Sequence, residues 1–275
     1  MPATRPEPLT QSYSHYSSIP EKTMEDEGWI LGVDEAGRGP VLGPMVYGVC
    51  YCPKGKQEEL KDLGFADSKT LDKGERDSGL GRVIGAKDWL GWAVKVLSPQ
   101  DISSGMLRSS VKYNLNQQAL DATVQLVKGV IDLGIPLTEL YVDTVGQPNA
   151  YQASLATRLP RNLKITVTKK ADSLFPIVSA ASICAKVTRD TIMEKWMFAE
   201  VGLGPDVVGK ALGSGYPSDP KTVQWLKRSV EPIFGFPGIC RFSWGTCERL
   251  LDEFGKAIRW YVAVKNRRKA VQKNE

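Results

Sequence analysis

Trp29-Ile30-Leu31-Gly32-Val33-Asp34-Glu35-Ala36-Gly37-Arg38-Gly39-Pro40 is an apolar run that ends in two adjacent carboxylates and breaks at once into a glycine-flanked arginine. The apolar residues read as a β-strand that stops at the Gly/Pro-rich turn 37–44, so the acids stand at a strand end. Carboxylates there suit a hard divalent cation, which prefers oxygen ligands. Glycines beside them let the backbone approach a ligand closely. Neighbouring strand residues point to opposite faces, so Asp34 and Glu35 are expected to share a site through a backbone turn at Glu35, helped by Gly37. Acidic metal ligands fused to a phosphate-friendly loop predict metal-assisted chemistry on a phosphodiester.

Working outward, residues 45–52 are dense in apolar and β-favouring types and read as a second strand, with a third at Trp89–Leu97. Leu115, Ala119, Ala122, Leu126, Val130 and Leu133 recur at helical spacing and predict a helix over about 114–133. Strands follow at 139–143 and 163–168, with a short helix near 149–158 between them. A long helix is expected from Phe175 to Val201, and two more at 220–229 and 246–264. Strands first, then βα alternation, then helices predict an α/β fold: one mixed sheet flanked by helices, with a C-terminal helical region. The expected organisation is a disordered Pro- and Ser-rich tail over 1–27, a catalytic domain over 28–218, the helical region 219–264 and a basic tail 265–275.

Composition removes several chemistries. The 275 residues are 42% hydrophobic and 24% charged, as in an ordinary soluble globular protein. No run approaches the roughly 20 apolar residues of a membrane helix, and the N-terminus lacks the apolar core of a secretory signal. The sole histidine, His15, falls in the polar N-terminal stretch, so imidazole-based nucleophile systems and His-rich zinc sites are disfavoured. Five cysteines, none in a Cys-x-x-Cys pair, read as buried free thiols of a reducing compartment. The net charge is +5, concentrated toward the end in the Lys265-Asn266-Arg267-Arg268-Lys269 stretch, which suits either a solvated tail or an address signal.

Two further carboxylates stand out by position. Asp143 ends the strand 139–143, and Asp172 opens the long helical stretch after strand 163–168. Alone, Asp143 reads as a turn former and Asp172 as a helix cap. Together with Asp34, Glu35 and the glycine loop they read as a metal site, since ligands gather at the carboxyl ends of parallel strands. Gly37-Arg38-Gly39 lacks the spacing of a dinucleotide fingerprint and suits backbone amides near a phosphate or sugar. Lys69 sits in the turn Ala66-Asp67-Ser68-Lys69-Thr70. Tyr216 is fixed between glycine and proline, a rigid ring suited to stacking on a base or sugar or to packing under a loop.

These segments, in this order over residues 29–247, resemble type 2 ribonuclease H. They are Asp34 to Pro40, Asp67-Ser68-Lys69, Tyr141-Val142-Asp143, Ala171-Asp172 leading into Val178 to Lys186, and Gly215 to Pro220. Val111 to Asn116 and Thr144-Val145-Gly146 look most like the eukaryotic catalytic (A) subunit, with an archaeal monomeric enzyme as nearest competitor. The resemblance implies a ribonuclease H-like sheet and an endoribonuclease that hydrolyses the RNA strand of RNA–DNA hybrids. It also implies nicking 5′ of single ribonucleotides in duplex DNA, with 5′-phosphate and 3′-hydroxyl ends, serving ribonucleotide and RNA primer removal in the nucleus. Asp34, Glu35, Asp143 and Asp172 are implied to hold two divalent cations, Mg²⁺ or Mn²⁺. Gly37, Arg38 and Gly39 are implied to contact the ribose 2′-hydroxyl, Lys69 to bind substrate, and Tyr216 to pack on the following sugar. Two accessory subunits, B and C, are implied partners in a heterotrimer, with region 220–264 and its Trp260 and Tyr261 as the expected docking surface. The competing readings are a DNA-directed nuclease or resolvase on the same superfold and a non-catalytic hybrid-binding subunit.

Overall fold

The computed structural model describes residues 4–21, 28–65, 71–109, 111, 113–200 and 212–258. Lys69, the tail 265–275, and Trp260 and Tyr261 lie outside the described residues.

Among the described residues, six strands form one sheet: β1 (Tyr13–Tyr16), β2 (Trp29–Ala36), β3 (Met45–Pro53), β4 (Gly91–Leu97), β5 (Leu137–Asp143) and β6 (Lys164–Thr168). They lie in the order β1-β4-β3-β2-β5-β6. The first four pair antiparallel, whereas β2, β5 and β6 run parallel. The helices are α1 (Gln57–Asp62), α2 (Lys73–Gly85), α3 (Pro99–Met106), α4 (Leu115–Asp132), α5 (Pro148–Ala156), α6 (Ala171–Leu174), α7 (Pro176–Glu194), α8 (Pro220–Ser229) and α9 (Gly245–Phe254).

Alternation along β2 and β3 divides the core in two. Ile30, Ala36, Val46, Cys50 and Cys52 face a cluster built by α1, α2, α7, α8 and α9. Trp29, Leu31, Val33, Met45, Tyr47, Val49 and Tyr51 face a second cluster with α3, α4 and α5. Helix α4 is closed at its start by a capping box in which Asn114 and Gln117 bond reciprocally. Helix α7 lies unusually close to the sheet. A Cβ at Gly32 would stand 2.5 Å from the Ile177 backbone, and one at Gly48 2.5 Å from the Ala181 carbonyl oxygen.

Four expectations change. The chain does not turn at Glu35, because ladder pairing with β3 continues through Glu35↔Tyr47 to Ala36↔Val46. The stretch expected to be disordered over 1–27 contains β1, whose Tyr13-Ser14-His15-Tyr16 pairs with the edge of β4. The helix expected to run from Phe175 to Val201 ends at Glu194, where Trp196 folds back and is 8% exposed. The helix expected at 246–264 likewise ends at Phe254, and 255–258 are non-helical. All five cysteines are free and buried, as expected.

Candidate active site

The parallel pairing of β2 and β5 sets Val33 beside Val142, so Asp34 and Asp143 follow at the ends of neighbouring strands. Asp34 is 3% exposed and lies on the α7 face, where the Ser182 hydroxyl donates to its carboxylate. The Glu35 amide also donates to Asp34 Oδ1 at 2.7 Å. Burial pushes the Asp34 carboxyl well above the usual carboxylate range, and the charges of Glu35 and Asp143 push it further. The Ser182 and Glu35 bonds pull the other way without compensating.

Glu35 falls on the opposite face by strand alternation. It lines a groove of about 400 Å³ with Arg38, Asn116, Asp143, Gln147 and Tyr151. Arg38 crosses that groove to donate to Asn116 Oδ1 at 2.5 Å. Asp143 reaches toward α6, accepting from the Ala171 amide at 2.8 Å. That bond places Asp143 one residue from Asp172, which is 3% exposed and whose carbonyl accepts from the Ser179 hydroxyl. The sequence-predicted acids therefore lie in the region where β2 and β5 end and α6 begins. Asp34, Glu35 and Asp143 are electrostatically coupled, and Asp172 is joined to Asp143 through the Ala171 backbone.

Among the described residues, no three His, Cys, Asp or Glu side chains are gathered into a group able to hold a metal ion. The donor set still fits a hard divalent ion, being oxygen only. The sole imidazole, His15, lies on β1 against Trp92, and β4 and β3 separate its strand from β2.

The loop after β2 turns at Gly37, whose φ of +79° favours glycine. Gly39 faces Tyr216: a Cβ there would stand 3.1 Å from the Tyr216 Cε1. The Gly215 carbonyl accepts from the Val41 amide at 2.8 Å, which ties the tyrosine segment to the glycine loop. Tyr216 itself is 47% exposed, free to meet a ligand. The loop and the ring expected to read the substrate thus form one surface beside the acids.

Sequence reasoning missed Arg241, which is fully buried beneath this loop and donates to three of its carbonyls. A signal existed: Arg241 is the single charged residue between Pro232 and Cys247. Arg189 was missed as well, a guanidinium lying beside Gly37 whose Nε and Nη2 are buried and have no partner among the described residues.

A family model described as ribonuclease HII matches residues 31–247. The A subunit of ribonuclease H2 from Rattus norvegicus is 49% identical over 244 residues, covering 89% of this chain and 79% of the relative. The crystal structure of ribonuclease H2 from Pyrococcus horikoshii OT3 superposes with a TM-score of 0.67 at 34% identity, covering 82% of this chain and 98% of that one. Bst-RNase HIII, solved in complex with Mn²⁺, shares the fold with a TM-score of 0.64 at 18% identity, over 82% of this chain and 70% of its own. Matched by that family model over residues 31–247 and 49% identical to a relative of which it covers 79%, the chain belongs to the ribonuclease HII family.

Proposed function

We propose that this chain is the catalytic subunit of a ribonuclease H that cuts the RNA strand of RNA–DNA hybrids and nicks duplex DNA 5′ of a single ribonucleotide. The observation that carries this reading is one juxtaposition. Asp34 and Asp143 lie side by side toward the carboxyl ends of adjacent parallel strands, and the Gly37–Gly39 loop and the half-exposed Tyr216 stand beyond them as one surface. Family membership supplies the hydrolase class.

Asp34, Glu35, Asp143 and Asp172 are the residues that would hold two Mg²⁺ or Mn²⁺ ions. When bound, such ions activate the attacking water and stabilise the leaving 3′-oxygen. The protein's own groups do the rest. Ser182 orients the Asp34 carboxylate, and the Ala171 amide orients that of Asp143. The 2′-hydroxyl is the one group that separates the ribonucleotide from DNA at that position, and the backbone of the glycine loop reads it. Tyr216 packs the next sugar flat, where a further hydroxyl would intrude. Lys69 is assigned to substrate binding on the family resemblance alone.

A Mg²⁺-dependent nicking assay compares three duplexes: a hybrid, DNA with one ribonucleotide, and all DNA. Cutting of the first two with 5′-phosphate and 3′-hydroxyl ends is expected. A 2′,3′-cyclic phosphate product, or equal cutting of the all-DNA duplex, rejects the reading. The rat relative is by name one member of an assembly, and two accessory subunits (B and C) are proposed here, docking on the C-terminal region. That region exposes Ile233 and Phe234, the latter 76% exposed. Purification of the lone chain as a fully active monomer argues against an obligatory assembly. Nuclear location is proposed from the basic stretch 265–269, and deletion of that stretch with imaging of the tagged chain tests it.

A further inference from the structure

The geometry points to Arg241 as a positioning residue for substrate recognition: its guanidinium turns the Gly37–Gly39 backbone so that the amides of Arg38 and Gly39 face the ribonucleotide. Arg241 Nη2 donates to the Gly37 carbonyl at 2.6 Å, Nη1 to the Arg38 carbonyl at 3.0 Å and Nε to the Gly43 carbonyl at 2.8 Å. The indole of Trp244 donates to the Gly39 carbonyl at 3.0 Å, and the guanidinium lies 4.8 Å over that indole ring. The Arg241 amide donates to the Val41 carbonyl at 2.9 Å, and the Gly43 amide donates to the Ile239 carbonyl at 2.8 Å. One short segment thereby captures five loop carbonyls.

A trans peptide is planar, with its N–H opposite its C=O, and no peptide bond among the described residues is cis. Fixing the Gly37 carbonyl inward therefore turns the Arg38 N–H outward, and fixing the Arg38 carbonyl turns the Gly39 N–H outward. The third peptide, between Gly39 and Pro40, has no N–H to present. Among the described residues, neither of the two outward amides has a protein acceptor. Tyr216 stands against Gly39 in the same loop.

Only an arginine performs this task. Its planar fork carries five donors in fixed directions, whereas a lysine ammonium is a point charge that cannot span three carbonyls. The group is fully buried and, among the described residues, forms no ion pair, so an ordinary structural salt bridge does not account for it. Burial, and then the neighbouring Arg189, pull its pKa down to about 9, which leaves it charged at neutral pH. Two guanidiniums behind the loop and two amides in front make that surface favourable for a polar, anion-bearing strand.

This inference rests on the substrate reading above, and its test separates the two. Hydrogen exchange followed by mass spectrometry reports on the loop without any substrate. In Arg241→Lys, exchange over residues 37–44 is expected to rise about tenfold while β4 is unchanged, the scale of one hydrogen bond to a charged group. Equilibrium binding by fluorescence anisotropy, in chelator, then compares a duplex bearing one ribonucleotide with the same duplex in all DNA. The preference for the ribonucleotide is expected to fall about tenfold. Uniformly faster exchange with both duplexes weakened equally means a merely structural residue and overturns the inference, as does unchanged exchange in the loop. A wild-type chain with no ribonucleotide preference removes the substrate reading instead, and the exchange data then decide the clamp alone. Where Arg241→Lys does not fold, Trp244→Phe removes the donor to the Gly39 carbonyl and keeps an aromatic ring beneath the guanidinium. A local rise in exchange supports the clamp there, and none refutes it.

Discussion

Folding gains nothing from an ionised Asp34. It is 3% exposed, and burial with the neighbouring charges of Glu35 and Asp143 raises its pKa well above the carboxylate range. A group held this way lowers the stability of the fold while serving the site. Asp34→Asn keeps the shape, removes the charge and still accepts from Ser182. The metal-free variant should be more stable by about 1–2 kcal/mol, roughly 2–8 °C in melting temperature, while losing turnover. A variant that is no more stable, or one that retains metal-dependent nicking, contradicts this account. Tyr216 obeys different logic, because its half-exposed ring supports no core. Tyr216→Ala should leave the melting temperature within about 2 °C, the range of surface substitutions, and cut nicking at isolated ribonucleotides at least tenfold. Undiminished nicking removes the stacking role. The places of the four acids and of Tyr216 in the fold were legible because each lies at a strand end, a helix start or a turn that the sequence marks. Arg241 was not, since its partners are carbonyls, and carbonyls carry no sequence identity.

At the scale of elements, the site depends on how closely α7 approaches β2 and β3. Ser182 reaches Asp34 only because Gly32 and Gly48 admit the helix backbone. Gly48→Ala must push α7 outward, at a cost of about 1–3 kcal/mol by overpacking. Activity should fall with it, as Ser182 withdraws from Asp34, and a stable, fully active Gly48→Ala would show that the approach is dispensable. Most elements were readable because apolar spacing alone distinguishes 115–132 or 137–143. Strand β1 was not, because Tyr13-Ser14-His15-Tyr16 is short and polar and owes its place to long-range partners. Ser12 fastens it, donating through its amide at 2.7 Å and its hydroxyl at 2.6 Å to Asp101. Burial raises the Asp101 pKa, but the Ser12 and Ser98 bonds and Lys95 outweigh it, so the net value is lowered. The folded value thus lies below the unfolded one, near 3.9. The tie is complete above that pH and is lost as the pH falls through the folded value. Exchange at residues 12–17 should accelerate below about pH 4 in the wild type, and Ser12→Ala should already exchange quickly at neutral pH. Identical profiles for the two chains would show that Asp101 does not hold the strand.

Across the whole molecule, charge is distributed unevenly for a purpose. A chain of net charge +5 places its acids where β2 and β5 end and α6 begins and sets two guanidiniums behind the adjoining loop. Positive charge attracts the nucleic-acid backbone, and the acids attract the cations that chemistry on it requires. The two demands conflict unless the acids are neutralised, so cation binding should relieve a cost that the metal-free fold bears. A ligand that binds only the folded state stabilises it by about 2.7 kcal/mol at a hundred times its dissociation constant. For a domain of this size that is roughly 5–10 °C in melting temperature. Mg²⁺ or Mn²⁺ should therefore raise the melting temperature of the wild-type chain by that amount, and chelator should reverse the gain. Asp34→Asn and Asp143→Asn should each lose most of it, since each removes one charge from the coupled set. Na⁺ at matched ionic strength should not reproduce it, because screening acts weakly on buried charge. An equal rise in wild type and both variants would mean that the ions bind elsewhere, and the strand-end acids would then have no claim to be the metal centre.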